Sequence, residues 1–453
     1  MAVIAAIATP QAAGGIGIVR ISGEGAFAVA DAVFRAGSGK KLCELPGYRA
    51  AFGGIVENGE RVDEAVALVF RAPKSYTGED VVELSCHGGL YVTQRVLRLV
   101  LAAGAAPAGP GEFTKRAFLN GKIDLAEAEA VMGIISAHGE QALSAARAAK
   151  EGALSRKIGE IASLLVARAA ELAVWADYPD EDVPAVACGT LLVSLQQAEN
   201  ELQALLDAFD AGQAVTEGVD TVICGRPNVG KSTLMNLLTG RERSIVTAVA
   251  GTTRDIVEET VRLQNIVLRL ADTAGLRQAN DLVEQIGVAR AKERMDNAAL
   301  ILAVFDSSSA LDREDNELLT YCSGRRAVAV VNKIDLDAKL DLALVRRSIE
   351  HVVEISAVSG AGKESLEKTI AALLGTDKID PSAAMLATER QRRCCEEALA
   401  GVREAVLALQ GGMTLDAVNV SLDYAINHLL TLTGEKATEA VVNEVFSRFC
   451  VGK

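Results

Sequence analysis

Gly225-Arg226-Pro227-Asn228-Val229-Gly230-Lys231-Ser232 fits the phosphate-binding pattern GxxxxGK[ST]. It follows a strand-like run, Val219 to Cys224, and leads into Thr233-Leu234-Met235-Asn236-Leu237-Leu238, which reads as the start of a helix. In that context the glycines let backbone amides between Asn228 and Thr233 converge on β- and γ-phosphates, helped by the helix N-terminus. Lys231 adds a point charge, and Ser232 offers a hydroxyl to Mg²⁺. An isolated glycine turn before a helix would read the same way. The motifs downstream decide against that.

Asn332-Lys333-Ile334-Asp335 follows the apolar run Ala327 to Val331. Here the Asp335 carboxylate can accept two hydrogen bonds from the N1–H and exocyclic amine of guanine. Adenine lacks that donor pair, and a site built around such a pair rejects the analogue by ~10⁴ or more. Asn332 would hold the loop and the base, and the Lys333 stem would lie over the ring. Ser356-Ala357-Val358, after the strand-like Val352 to Ile355, would bring a backbone amide to the guanine oxygen. The motifs in this order indicate GTP. Asp272-Thr273-Ala274-Gly275 ends a further apolar run, Ile266 to Leu270, so that Asp272 would reach Mg²⁺ through water and the Gly275 amide would sense the γ-phosphate. Gly251-Thr252-Thr253-Arg254-Asp255 fits a first switch, with Thr253 completing the Mg²⁺ shell. Leu276 stands where many regulatory GTPases carry a water-orienting Gln. Another group must do that work, and positive charge is needed near the leaving group. Arg277 and Glu284 are nearby candidates, and an Asn228 carbonyl could help to hold a monovalent cation instead.

Strands and helices must carry these residues. Ala50 to Val56 and Arg61 to Phe70 flank Glu57-Asn58-Gly59-Glu60, a hairpin signal. Val81 to Leu84 is strand-like, and Thr93 to Ala103 sets Val96, Leu97, Val100 and Leu101 at helical spacing. Asp124 and Glu127 resemble a capping box that opens an Ala-rich helical stretch to Trp175. Leu191, Leu195, Ala198, Leu202, Leu205 and Phe209 form one apolar stripe. Beyond the nucleotide motifs, Thr388 and Gln391 give a second cap ahead of Leu399, Val402, Val406 and Leu409. Leu415, Val418, Leu422 and Ile426 line a further helix. Neither helical half has an obvious complete core. The organisation expected is an α+β unit over 1–119 and a discontinuous helical domain over 120–217 and 379–453, with the nucleotide domain, 218–378, inserted through Gly212 and Pro381.

Composition narrows the partners. A chain of 453 residues, half of them hydrophobic, suits several folded domains. No apolar run reaches the ~20 residues of a membrane span. Met1 to Ala8 reads as a first strand and not as a signal peptide. Eight scattered cysteines, without a CxxC, point to reduced thiols in the cytoplasm. Cys86-His87 lacks companions for a metal site. Cys450 reads as a packed residue of a terminal helix, with a reactive thiol as the alternative. A net charge of −14 argues against a chain that grips RNA alone.

The motifs and their flanks resemble the MnmE (TrmE) family of tRNA uridine-5-modification GTPases over nearly the whole chain. Four stretches outside the nucleotide motifs are specific. They are Gly14-Gly15-Ile16-Gly17-Ile18-Val19-Arg20-Ile21-Ser22-Gly23, Tyr76-Thr77-Gly78-Glu79-Asp80-Val81-Val82-Glu83-Leu84, Pro110-Gly111-Glu112-Phe113-Thr114-Lys115-Arg116-Ala117-Phe118-Leu119-Asn120, and the terminal Phe449-Cys450-Val451-Gly452-Lys453. The resemblance implies a multidomain α/β and all-α architecture. An N-terminal tetrahydrofolate-binding and dimerisation domain is followed by a discontinuous helical domain carrying an inserted Ras-like P-loop GTPase domain.

The resemblance also implies K⁺-stimulated hydrolysis, with K⁺ held by Asn228, Thr247, Val249 and Thr252. Thr247, Ala248, Val249, Ala250, Gly251, Thr252 and Thr253 join the nucleotide contacts, Ser232 and Thr253 hold Mg²⁺, and Glu284 acts in catalysis with Lys231 and Asp272. Arg20, Glu83, Lys122 and Lys453 match the contacts to 5,10-methylene- or 5-formyl-tetrahydrofolate. A homodimer would work with the flavin-dependent partner MnmG (GidA) in a heterotetramer, reaching tRNA through that complex. The product would be carboxymethylaminomethyl- or aminomethyl-uridine at the wobble position. A ribosome-assembly GTPase or a regulatory GTPase with docking domains would share the central motifs alone.

Overall fold

The computed structural model describes residues 1–177, 188–240, 259–263, 266–271 and 295–453. Its contacts divide the chain into two units: Met1–Met132, Ser155–Leu195 and Ala400–Lys453 form one, and Gly133–Leu154 with Gln196–Leu399 form the other.

Alternation of side chains decides the first unit. Its strands are β1 (Ile4–Ile7), β2 (Ile16–Ser22), β3 (Phe34–Ala36), β4 (Arg49–Glu57), β5 (Glu60–Phe70), β6 (Val81–His87) and β7 (Ala106–Pro107), in the sheet order β3-β4-β5-β6-β2-β1-β7. Val19, Ile21, Val82 and Leu84 point into a core shared with helices α1 (Ala26–Val33) and α2 (Leu90–Ala102). The period of two therefore turns Arg20 and Glu83 to the other face, where they are direct partners across β2 and β6. The Asn-Gly hairpin forms as expected, with φ of 51° at Asn58 and 87° at Gly59. In α2, Val96 and Val100 are buried and Leu97 and Leu101 pack beside them.

Helices α3 (Glu112–Leu119), α4 (Leu125–Ser136), α5 (Glu140–Lys150) and α6 (Ala153–Asp177) follow. The capping box before α4 is present in both directions: Glu127 N donates to Asp124 Oδ1 at 2.8 Å, and Asp124 N donates to Glu127 Oε2 at 2.9 Å. Helices α7 (Cys188–Asp207) and α8 (Phe209–Thr216) bury the whole stripe from Leu191 to Phe209. Gly212 lies inside α8 and is not a joint. The chain turns instead at Gly218, where φ is +81° and a Cβ would stand 2.8 Å from the Val267 carbonyl oxygen.

The second unit is built on a six-stranded sheet. Its strands are β8 (Val219–Cys224), β9 (Glu259–Leu263), β10 (Ile266–Ala271), β11 (Leu300–Asp306), β12 (Ala327–Asn332) and β13 (His351–Glu354), in the order β13-β12-β11-β8-β10-β9. Only the β9–β10 pair is antiparallel. Every residue of β11 and β12 is buried, as continuous apolar runs covered on both faces require. Helices α9 (Lys231–Thr239), α10 (Arg313–Cys322), α11 (Leu342–Ser348) and α12 (Lys363–Leu374) accompany it. Three helices complete the chain: α13 (Glu389–Gln410), α14 (Leu415–Thr433) and α15 (Glu439–Ser447). At the start of α13, Gln391 N donates to Thr388 Oγ1 at 3.3 Å, while the Gln391 side chain reaches back to Ala387 N at 2.7 Å. Among the described residues no helix is long and apolar enough to cross a membrane.

The α4 cap offers a direct check on this local reading. Asp124→Ala should cost about 1 kcal/mol of unfolding free energy, measured by denaturant titration. An unchanged midpoint would show that the cap bonds carry no stability.

Candidate functional site

Strand β8 has β10 on one side and β11 on the other, so the path of the chain across the sheet reverses there. Ligands of doubly wound sheets bind at such a switch point, beyond the carboxyl ends of the strands. The glycine loop leaves β8 at that point. Gly225 has φ of +145°, and a Cβ there would lie 2.3 Å from the Val304 carbonyl oxygen. Gly230 has φ of +100°, and a Cβ would meet Asn332 Nδ2 at 2.2 Å. The loop can pass this close to β11 and β12 only with glycine at both places. Asn228 takes a left-handed backbone, φ 64°, with an exposed side chain. Ser232 and Thr233 are exposed on the first turn of α9. Lys231 Nζ donates to the carbonyl oxygens of Gly225 at 2.6 Å and Arg226 at 2.8 Å.

Asn332, the last residue of β12, is 2% exposed and fully engaged. Its Nδ2 donates to the Val229 carbonyl at 2.9 Å, and its Oδ1 accepts from Ala357 N at 2.9 Å. The Ala357 amide, expected at the guanine oxygen, is thus given to Asn332 here. Lys333, at φ 66°, places Nζ 2.6 Å from Asp306 Oδ2. Burial pushes the Asp306 carboxyl up, but its bonds to Lys333 and Ser308 outweigh that and hold it below the ordinary range. Asp335 is exposed, Ser356 is buried, and Val358 is 83% exposed. Thr247, Ala248, Val249, Ala250, Gly251, Thr252, Thr253, Asp272, Thr273, Ala274, Gly275, Leu276, Arg277 and Glu284 lie outside the described residues.

A second polar site occupies the outer sheet face of the first unit. Arg20 Nε donates to Glu83 Oε1 at 2.8 Å, and Arg20 NH1 donates to the Gly452 carbonyl at 3.2 Å. The guanidinium sits 5.5 Å from the centre of the Phe113 ring and 5.9 Å from that of Tyr76. The chain terminus is docked: Phe113 N donates to the Lys453 carbonyl at 3.2 Å, and Pro110 bridges Val451. Gly452, at φ +99°, leaves no room for a Cβ, which would stand 2.4 Å from the Ile7 carbonyl oxygen. Burial lowers the pKa of Lys453, the Arg20 charge lowers it further, and Glu83 opposes both.

Arg20 and Glu83 are therefore paired, and Lys453 comes within electrostatic reach of both. Lys122 stands apart, with Nζ donating to the carbonyl oxygens of Pro73 and Ser75. It lines an open cleft of about 420 Å³ with Tyr48, Lys74 and Tyr76, and Tyr76 also borders the Arg20 cluster. Cys450 is exposed and lies beyond the end of α15, so it is not a packed helix residue. Cys86 is buried, which pushes its thiol up to about 11, and His87 pairs with Asp63 at 2.6 Å. Among the described residues no group of three potential metal ligands occurs.

Sequence reasoning missed Arg226, whose NH1 donates to Asp312 Oδ2 at 2.8 Å, and it missed Asp306. The Asp312-x-x-Asp315 cap was legible as a pattern, but its arginine partner was not. It missed Tyr76 and Phe113 as neighbours of Arg20.

The glycine loop at the switch point of a parallel sheet, locked by Asn332 to the base-reading segment, defines a P-loop GTPase. The MnmE helical domain description matches residues 125–450, and that of the GTP-binding protein TrmE N-terminus matches residues 3–122. The chain is 40% identical to the tRNA modification GTPase MnmE of Alkaliphilus oremlandii (strain OhILAs), covering 99% of each chain. It is 38% identical, at the same coverage, to that of Clostridioides difficile (strain 630). The chain belongs to the MnmE family of tRNA modification GTPases.

The docked terminus can be tested in solution. Glu83→Gln removes the carboxylate that holds Lys453 up, so the Lys453 ammonium should titrate at still lower pH, followed by NMR of its ε-methylene. Titration unchanged from wild type would mean that Glu83 and Lys453 do not share a site.

Proposed function

We propose that this chain hydrolyses GTP in a K⁺-stimulated reaction and, with the flavin-dependent partner MnmG (GidA), modifies carbon 5 of the wobble uridine of certain tRNAs in the cytoplasm. The observation that carries this reading is the meeting of Arg20, Glu83 and the docked Lys453 on a chain that also carries the GTPase loop. We assign residues 218–378 to the GTPase domain, inserted between the helical parts 120–217 and 379–453, and residues 1–119 to the folate-binding and dimerisation domain.

The residues present suit the groups proposed. The exposed Ser232 hydroxyl at the start of α9 fits a Mg²⁺ ligand, and exposed Asn228 at the loop mouth fits a K⁺ ligand. Mg²⁺ and K⁺ would supply charge stabilisation at the transferring phosphate. Lys231 can leave its two carbonyl partners for phosphate oxygens, exchanging neutral acceptors for charged ones. Asn332 keeps the loop and the base segment in register, while exposed Asp335 is free to read the guanine edge. Thr247, Val249, Thr252, Thr253, Asp272 and Glu284 take the roles that the family resemblance gives them.

At the second site Glu83 can accept from the amino and ring N–H groups of a pterin, and Arg20 fixes that carboxylate in place. Tyr76 and Phe113 offer apolar surface beside it. A tetrahydrofolate bound there would supply a one-carbon unit. Lys453, its pKa lowered by burial and by Arg20, suits a polar ring edge, and Lys122 suits a carboxylate tail.

Two experiments test the reading. Nucleosides of tRNA from cells lacking the gene should lose 5-aminomethyl-type wobble uridines, which wild type restores and neither Asp272→Ala nor Glu83→Ala does. Unchanged nucleosides would end the tRNA and folate assignments together. GTP turnover should fall by up to about a thousandfold when Na⁺ replaces K⁺, the lower end of what an arginine finger supplies; equal rates would end the cation mechanism alone.

A further inference from the structure

The phosphate loop has an anchor that the nucleotide motifs do not contain. Arg226 NH1 donates to Asp312 Oδ2 at 2.8 Å, NH2 donates to Ser309 Oγ, and Nε pairs with Asp315 Oδ2 at 3.3 Å. Asp312 and Asp315 form the capping box of α10. The Asp315 side chain is 1% exposed, and burial pushes its carboxyl up against the opposing pull of the Arg226 charge.

The segment gripped by Arg226 also carries the partner of the base-side lysine. Ser309 N donates to the Asp306 carbonyl at 3.3 Å, and Ser308 N and Oγ hold Asp306 Oδ1 at 2.9 and 2.7 Å. Asp306 Oδ2 then meets Lys333 Nζ at 2.6 Å. From the neighbouring residue, Asn332 returns to the Val229 carbonyl at 2.9 Å. The bonds form a closed ring: out from the loop at Arg226, through Asp306 to Lys333, and back to the loop at Val229. The Arg226 carbonyl is also one of the two that hold Lys231. Displacing Arg226 would therefore move the phosphate-binding lysine as well as the loop.

We propose that Arg226 is a positioning residue for guanine-nucleotide binding, bracing the phosphate loop through Ser309 and Asp312 against the Asp306–Lys333 pair and so coupling phosphate recognition to base recognition. This rests on the reading of the loop as a GTP site. The plainer possibility, an arginine that merely caps α10, would leave nucleotide affinity untouched or would act independently of Asp306.

The test is a double-mutant cycle on the full chain, with mant-GDP fluorescence as the readout. Arg226→Ala and Asp306→Asn should each weaken binding about tenfold, the scale of one lost charge-assisted hydrogen bond. The double variant should be no weaker than the worse single one, because either change opens the same ring. Arg226→Lys should recover part of the loss. In steady-state turnover the Arg226→Ala defect should appear chiefly in KM, with a smaller fall in kcat because the Arg226 carbonyl helps to hold Lys231. If Arg226→Ala does not fold, Ser309→Ala takes its place in the cycle with Asp306→Asn. A double variant weakened by the product of the single losses, or Arg226→Ala with wild-type affinity, would overturn the brace while leaving the nucleotide site intact. Wild-type protein that bound no mant-GDP would remove the nucleotide reading and the brace with it.

Discussion

The nucleotide half of this molecule depends on one buried carboxamide. Asn332 spends its donor on the Val229 carbonyl and its acceptor on the Ala357 amide, joining the phosphate loop, the end of β12 and the loop after β13. Neither group has water as an alternative, because the residue is 2% exposed. A buried amide left unpaired costs about 1–3 kcal/mol per group, so these three segments move as one or lose that energy. The glycine at position 230 follows from the same contact: any side chain there would occupy the space of Asn332 Nδ2. One interaction thus explains a strand ending, a loop path and a residue identity.

The first unit has a different constraint, the register between β2 and β6. Pairing Arg20 with Glu83 sets Val19, Ile21, Val82 and Leu84 inward, and a slip of one strand by one residue would bury its charge beneath α1 and α2 and leave the other unpaired. The polar site and the core are therefore fixed by the same alternation. The terminus closes over that face because Gly452 alone can pass the Ile7 carbonyl, and because the Phe113 amide has the Lys453 carbonyl as its partner. A terminal lysine would ordinarily fray; here its backbone is held and its charge is partly withdrawn from water.

What was legible in the sequence was local. The glycine loop, the Asn58-Gly59 hairpin and the Asp124–Glu127 cap each need only residues a few positions apart, and each formed as read. Gly212 misled because glycine marks a joint only where the chain leaves the helix, and here it sits within α8, which begins at Phe209 after α7 ends at Asp207. Cys450 was misread because the helix stops at Ser447 and the last residues bond to Gly111 and Phe113 instead. The Arg226 anchors stand 83 and 86 residues away, a separation at which no spacing rule operates. Family resemblance could single out Arg20, Glu83 and Lys453, but only packing shows that they meet and that Lys122 faces a neighbouring cleft.

The two halves of the nucleotide site are prepared to different degrees. On the base side, Asn332 is locked, Lys333 is held by Asp306, and Asp335 stands exposed, so the carboxylate that would read guanine is already accessible. On the phosphate side, Lys231 is engaged with two carbonyls of its own loop and must exchange them for the ligand. Those carbonyls belong to Gly225, which runs too close to the Val304 carbonyl for any side chain, and to Arg226, which is held by the α10 cap. The loop backbone can therefore stay in place while a single side chain changes partners. Affinity then depends on the difference between neutral and charged acceptors for one ammonium, and the rigidity of everything around Lys231 keeps that difference from being lost to reorganisation.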